Sequence, residues 1–211
     1  EPKTYDFDIA NVNIVEGHTA GYDTGTSFGA GEYVSIAVVS EEGSSVDDVV
    51  VLVWYDATNR RLRYCYNTSP LTNNGGTTNG WSTSEMVFDA EEEAGIGWYC
   101  KIAVDKAGGI HVAAYDSVNS DVMYAYKSAY NASEWTTMKV DSNGIVGSEL
   151  TLDVAMKNSK PIPYIGYYGL SSTKPKILST ASTIQFPVWP ALDFSAAAFS
   201  TSKLYTLFPL T

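Results

Sequence analysis

The side chains of this 211-residue chain that could do chemistry are carboxylates, amides and aromatic rings gathered at short polar turns and Gly-rich joins. Asp56, Asn59, Arg60 and Arg61 share one turn, and Asp116, Asn119 and Asp121 another. Tyr22, Asp23, Glu91, Glu92, Glu93, Trp98, Asp141, Asn143 and Glu149 lie in or beside the joins. Aromatic faces stack on pyranose rings while carboxylates and amides bond the hydroxyls, so this mixture suits a sugar, and its carboxylates suit a cation. The candidate ligand-binding set is Tyr22, Asp23, Asp56, Asn59, Arg60, Trp98, Asp116, Asn119 and Glu149. A glycoside hydrolase would need carboxyl groups facing each other at about 5–10 Å, and Asp23, Asp116 and Glu149 are the residues that could supply them.

Each of these has a structural explanation beside the functional one. Asp and Asn form turns through hydrogen bonds to nearby backbone, which accounts for Asp56, Asn59, Asp116 and Asn119 without a ligand. Glu91–Glu93 reads as a solvated loop. The run Asp141-Ser142-Asn143-Gly144 with Glu149 resembles an oxygen-ligand calcium loop, but its spacing is not that of an EF-hand. His18 and His111, with Cys65 and Cys100, are too few and too scattered for a zinc site or a His-dependent triad. No catalytic set, metal or cofactor is expected.

The elements that must carry these residues are written twice. Trp54–Tyr66 (WYDATNRRLRYCY) returns as Ala114–Tyr126 (AYDSVNSDVMYAY), with Tyr55, Asp56, Asn59, Tyr64 and Tyr66 recurring 60 positions later. Strand, polar turn and alternating strand make a β-hairpin, here repeated. Around it the chain predicts units of four strands. The first has Tyr33–Val39, Val49–Tyr55, Leu62–Tyr66 and Trp81–Phe88; the second has Tyr99–Asp105, Ile110–Tyr115, Val122–Tyr126 and Trp135–Val140. A third has Leu150–Met156, Pro163–Tyr168 and later strands around Ile177 and Ile184.

Four-stranded antiparallel units of about 50 residues laid end to end predict an all-β fold, a β-propeller of four blades or a piece of a larger one. The single domain 1–211 would hold blades at 33–88, 99–140 and 149–187. A partial blade at 191–210 would be completed by 6–15, closing the ring, or the ring would be completed by a second copy. Alternatively, Ala191–Phe199 could form a short helix. The run Val49–Tyr55 (VVVLVWY) is the pattern of a strand covered on both faces. His111 falls in the slot of Val51 and Tyr164, which predicts a packing role. Cys65 and Cys100 fall on strands too far apart to bridge, which predicts two packed thiols.

Charge narrows the partners. Lys+Arg 13 against Asp+Glu 24 leaves a net −11, which repels phosphate backbones and anionic headgroups. Nucleic acid is therefore disfavoured, and no apolar run reaches the roughly 20 residues of a spanning helix. The chain opens at Glu1 with no Met or apolar leader, as expected of a mature or excised form.

The pattern IAVD…GGIHVAAYD…VMYAY…W at 99–135, and more loosely at 33–81 and 149–168, resembles bacterial extracytoplasmic β-propeller repeats. That resemblance implies an exported chain and identifies a blade rather than an activity. Among functional propellers, sialidases grip a carboxylate with arginines from different blades, whereas Arg60, Arg61 and Arg63 are the only arginines here and share one turn. The sialidase Asp-box is also missing. Fucose-type lectin propellers are similar in Leu62-Arg63-Tyr64-Cys65-Tyr66 and in Trp81 and Trp135, but their Arg–Glu–Trp sugar set does not recur in the second unit. The expected function is a non-catalytic extracytoplasmic module binding a glycan or a protein. The alternatives are a scaffold segment of a larger surface protein and a propeller-type glycoside hydrolase.

Overall fold

A computed structural model describes residues 30–40, 48–68, 81–88, 95–180 and 194–195. The described chain is all-β and contains no helix. Its strands are β1 (Ala30–Val39), β2 (Val49–Asp56), β3 (Arg61–Asn67), β4 (Glu85–Met86), β5 (Ile96–Val104) and β6 (Ile110–Asp116), then β7 (Asp121–Lys127), β8 (Thr136–Asp141), β9 (Val146–Lys157), β10 (Lys160–Gly169), β11 (Lys174–Thr180) and β12 (Phe194–Ser195). They form three separate four-stranded antiparallel sheets, β1-β2-β3-β4, β5-β6-β7-β8 and β9-β10-β11-β12. The two copies of the tyrosine hairpin therefore lie in different sheets, at matching places in each.

Several details differ from the sequence expectation. Strand Trp81–Phe88 contracts to an isolated bridge between Asn67 and Trp81 and the two-residue β4. Phe194–Ser195, expected in the first strand of a fourth unit, instead pairs with β11 as the outer strand of the third sheet. The expected completion by 6–15, the strand around Ile184 and the remainder of 191–210 lie outside the described residues.

The core lies between the sheets. Val49, Val51, Val53 and Leu62 of the first sheet pack with Cys100, Ile102, Val112 and Ala114 of the second. On the other side of the second sheet, Ala113, Val122, Tyr124 and Tyr126 pack with Val146, Leu150, Ile165 and Tyr167 of the third. Alternate residues of β6 and β7 thus enter opposite cores, as the two-residue strand period requires, and β7 is buried at every position. The double coverage expected for β2 is met in part, with Trp54 buried on its outer side, and is complete in this middle sheet. Val50 and Leu52 of β2 are only half-buried on their outer side.

Adjacent sheets are registered by a device that repeats. Gly97 (φ +140°) and Gly147 (φ +103°) open the first strand of the second and third sheets. Tyr55 and Tyr115, equivalent residues of the preceding sheets, lie against them, and a Cβ at either glycine would sit 2.6 Å or 2.8 Å from the tyrosine Cδ2. The hairpin turns add backbone contacts across the same junctions. Gly95 N–H donates to the Arg60 carbonyl (2.9 Å) and Val146 N–H to the Ser120 carbonyl (3.1 Å). Cys100 Sγ lies 2.7 Å from the Tyr33 carbonyl, and burial pushes this thiol up to about 12. It is a packing group, as is Cys65, buried in the first sheet.

Gly97→Ala tests the registration. Its left-handed backbone alone disfavours an L-residue by about 1–2 kcal/mol, and overpacking on Tyr55 adds about 1–3 kcal/mol. Gly108→Ala, also left-handed (φ +84°) but with its nearest neighbour 3.7 Å from the added Cβ, should show only the first part. Urea unfolding of both variants measures the difference; equal losses would remove the tyrosine seat from the account.

Candidate functional site

The first strand of each sheet begins with the same irregularity. Gly31 and Tyr33, Gly97 and Tyr99, and Gly147 and Glu149 all have positive φ, and the three non-glycine residues sit within 53–55°. Register shifts interrupt the β1–β2, β5–β6 and β9–β10 ladders at these places. A bulge of this kind re-aims a side chain and leaves the following strand in register. Left-handed Tyr and Glu are strained by about 1–3 kcal/mol each, and such strain gathers at functional positions.

The re-aimed side chains converge. Tyr33 stacks on Trp98 (centroids 6.0 Å, planes 29° apart) and tilts on Tyr99 (5.1 Å) and Tyr55 (6.4 Å). Trp98 meets Tyr55 edge-on (6.4 Å) and Tyr115 at 6.5 Å, while Tyr99 lies 6.2 Å from Tyr115. Five rings from β1, β2, β5 and β6 thus form one group, with Tyr33 exposed at its edge; Glu149, equivalent to Tyr33 and Tyr99 in the third sheet, is also exposed. The Tyr33 hydroxyl is held above its ordinary value by burial, then by Tyr99, Glu32, Tyr55 and Glu149, so both carboxylates act on it electrostatically. The Trp98 indole N–H is buried and has no acceptor among the described residues. The group presents aromatic surface and two carboxylates, the chemistry that holds a polyol.

Of the expected ligand set, Trp98 and Glu149 belong to this group, and Tyr22 and Asp23 lie outside the described residues, as do Glu91, Glu92 and Glu93. The turn residues have another role. Asp56 accepts from Asn59 N–H (3.0 Å) and Asn59 Nδ2 (2.6 Å); Asp116 accepts from Asn119 N–H (3.0 Å), Asn119 Nδ2 (2.7 Å) and Val118 N–H (2.9 Å). These buried carboxylates brace their own hairpins, and Asp116 is committed at both oxygens rather than poised as an acid or nucleophile. Arg60 contributes a left-handed backbone (φ 56°) to its turn, and Asn59 and Arg60 remain exposed. Asp121 is buried against Lys139.

The calcium-like reading of 141–149 meets the same fate. Asp141 accepts from Tyr167, from Lys176 Nζ (3.0 Å) and from Asn143 N–H (2.9 Å). Burial alone would raise its pKa, but these bonds, Tyr167's first, hold it below the ordinary value. Among the described residues no group of three or more His, Cys, Asp or Glu is arranged to hold a metal ion.

Tyr33 and Tyr99 were missed as site residues because β-strand tyrosines read as core. The readable signal was their shared place: Tyr33, Tyr99 and Glu149 follow one another by 66 and 50 residues, as do Ile36, Ile102 and Leu152. Trp135, compared above with a lectin tryptophan, packs edge-on against Tyr64 (5.1 Å) and donates to Glu85 (2.8 Å).

His111 is fully buried, as a packing slot requires, yet both ring nitrogens are engaged. Nδ1 lies 2.6 Å from the Tyr124 hydroxyl and Nε2 3.0 Å from Asp105 Oδ2. The other oxygen of Asp105 accepts from Ala107 N–H (2.7 Å) and Gly109 N–H (3.0 Å). Burial pushes the Asp105 pKa up, and the bonds from His111 and the backbone outweigh it, leaving the group lowered. Its folded pKa is therefore below its unfolded one, so its contribution is complete above about pH 4. That contribution is lost as pH falls through the depressed value. Thermal unfolding of wild type and Asp105→Asn from pH 7 to pH 2 should show the variant less stable at neutrality and the gap closing in acid; a constant gap would be the contrary result.

No protein-family model, no curated protein and no solved structure matches this chain.

Proposed function

We propose that the three sheets are consecutive blades of a β-propeller, and that the chain is a non-catalytic, extracytoplasmic binding module that takes a neutral glycan at the aromatic group. The blade reading is supported by the neighbouring first strands, with β5 lying between β1 and β9, and by identical bulges at their starts. Export rests on the repeat resemblance of the segment 99–135. The single observation that carries the ligand class is the five-ring group edged by Glu149 and Glu32. Tyr33 offers stacking surface, with Trp98 stacked behind it, and Glu149 an acceptor for sugar hydroxyls. Exposed Asn59 and Arg60 stand on the turn beside it. The net −11 charge favours a neutral over an anionic partner.

Binding is favoured over hydrolysis because Asp116 is consumed by its turn, leaving Glu149 as the described member of the carboxylate trio at the rings. A scaffold role is the second reading, and the close packing of the rings on one another speaks for it.

Calorimetry and tryptophan fluorescence against neutral cell-envelope polysaccharides separate the two. Binding in the millimolar range or tighter is expected. Tyr33→Ala should weaken it about five- to tenfold, the effect of losing one stacked ring of about 1 kcal/mol. Glu149→Gln should weaken it less, with stability preserved because the residue is exposed. Absence of heat and of fluorescence change across the panel would favour the scaffold.

A further inference from the structure

The two ends of the three-sheet stack expose the two halves of the contact that joins its sheets internally. Val34, Ile36 and Val38 of β1 are 53%, 61% and 44% exposed. Their equivalents 66 residues on are Cys100, Ile102 and Val104, of which Cys100 and Ile102 are 0% and 6% exposed, packed on the first sheet. The next equivalents, Leu150 and Leu152, pack on the second sheet. The first-strand face is thus an interface at both places where a described sheet precedes it, and open at β1, before which no sheet lies among the described residues.

The far face of the third sheet is the matching half. Val51, Leu62 and Tyr64 of the first sheet, and His111, Val122 and Tyr124 of the second, lie on the face that meets the sheet that follows. In the third sheet the corresponding strands turn Tyr164 and Ile177 outward, 42% and 40% exposed. The tyrosine–glycine seat is split in the same way. Tyr55 lies on Gly97 and Tyr115 on Gly147, but the third tyrosine of the series, Tyr168, is half-buried beyond the last junction. The remaining glycine, Gly31, has nothing within 4 Å of the place its Cβ would occupy. One end carries a seat without a tyrosine, the other a tyrosine without a seat.

We propose that this surface docks a second copy of the chain, with β1 of one copy on β9 and β10 of the other and Tyr168 against Gly31. The open strip is the first strand itself; Trp54 and Cys65, farther out on the same face, are already buried. A contact between unlike ends propagates or closes a ring. Two copies of the three described sheets make six, inside the usual range of about 4–8 for closed propellers, whereas three copies make nine. A closed dimer is therefore the expected assembly.

Sedimentation equilibrium of the full chain should give twice the 22.9 kDa of one chain. Ile36→Lys and Tyr168→Ala should each shift it to monomer, with far-UV circular dichroism unchanged. Mixing Ile36→Cys and Tyr164→Cys proteins with a short bismaleimide should yield the mixed dimer, with wild type reporting any reaction of Cys65 and Cys100. A wild-type monomer throughout the concentration series overturns the proposal and, with a lowered melting temperature for Ile36→Lys, assigns the strip to the chain's own remaining residues. Crosslinking of two Ile36→Cys copies to each other overturns the head-to-tail arrangement.

Discussion

A sheet whose residues are apolar on both faces needs a cover on each, and that requirement organises this molecule. The second sheet meets it fully. Met123 and Ala125 enter the core shared with the first sheet, while Val122, Tyr124 and Tyr126 enter the core shared with the third. At about 1.5–3 kcal/mol for each large side chain withdrawn from water, the two inter-sheet cores are the main source of cohesion among the described residues. The sheets cannot be treated as independent units, since each supplies half of its neighbour's core.

The charged groups Lys127 and Asp105 enter these cores with their partners in place. Lys127, 1% exposed at the end of β7, places its ammonium on Glu85 of the first sheet and over the rings of Tyr64 (5.2 Å) and Trp135 (5.0 Å). Trp135 donates to the same Glu85 oxygen that receives Lys127. A buried ammonium is costly unless paired, and here the carboxylate and two aromatic faces replace water. Asp105, His111 and Tyr124 solve the same problem toward the third sheet, with both carboxylate oxygens and both imidazole nitrogens occupied. Such groups define which sheets meet more sharply than apolar contacts can, because a displaced partner strands a charge or a donor.

Repetition made the sheets legible in the sequence. The hairpin copied 60 residues apart predicted matching strands in separate sheets, and the turn chemistry of Asp56–Asn59 and Asp116–Asn119 was readable from residue type alone. The ends of the strands were harder to read. β5 begins at Ile96, not Tyr99, because the ladder continues past an irregularity that leaves Gly97 unpaired, and bulges leave no mark on hydrophobic alternation beyond an isolated glycine. The paired state of His111 was illegible for a different reason. Its partners Asp105 and Tyr124 lie 6 and 13 residues away on flanking strands, so only the cross-strand register brings them together. Trp98 and Glu149 were picked out by type and location, whereas Tyr33 and Tyr99 required the bulge before their direction could be known.

That bulge separates what the backbone repeats from what the side chains do. At 33, 99 and 149 the chain holds the same left-handed conformation with Tyr, Tyr and Glu, although glycine would adopt it without strain. At 97 and 147 the glycine two positions earlier already provides the close approach of neighbouring sheets, so Tyr99 and Glu149 are not needed for packing at the junction. Tolerating about 1–3 kcal/mol of strain three times makes physical sense where the side chain itself is required, and these three point to one place where the described sheets meet. Buried turn carboxylates hold the hairpins and bulged first strands carry the rings, so the edge of the aromatic group can vary in chemistry while the stack beneath it stays the same.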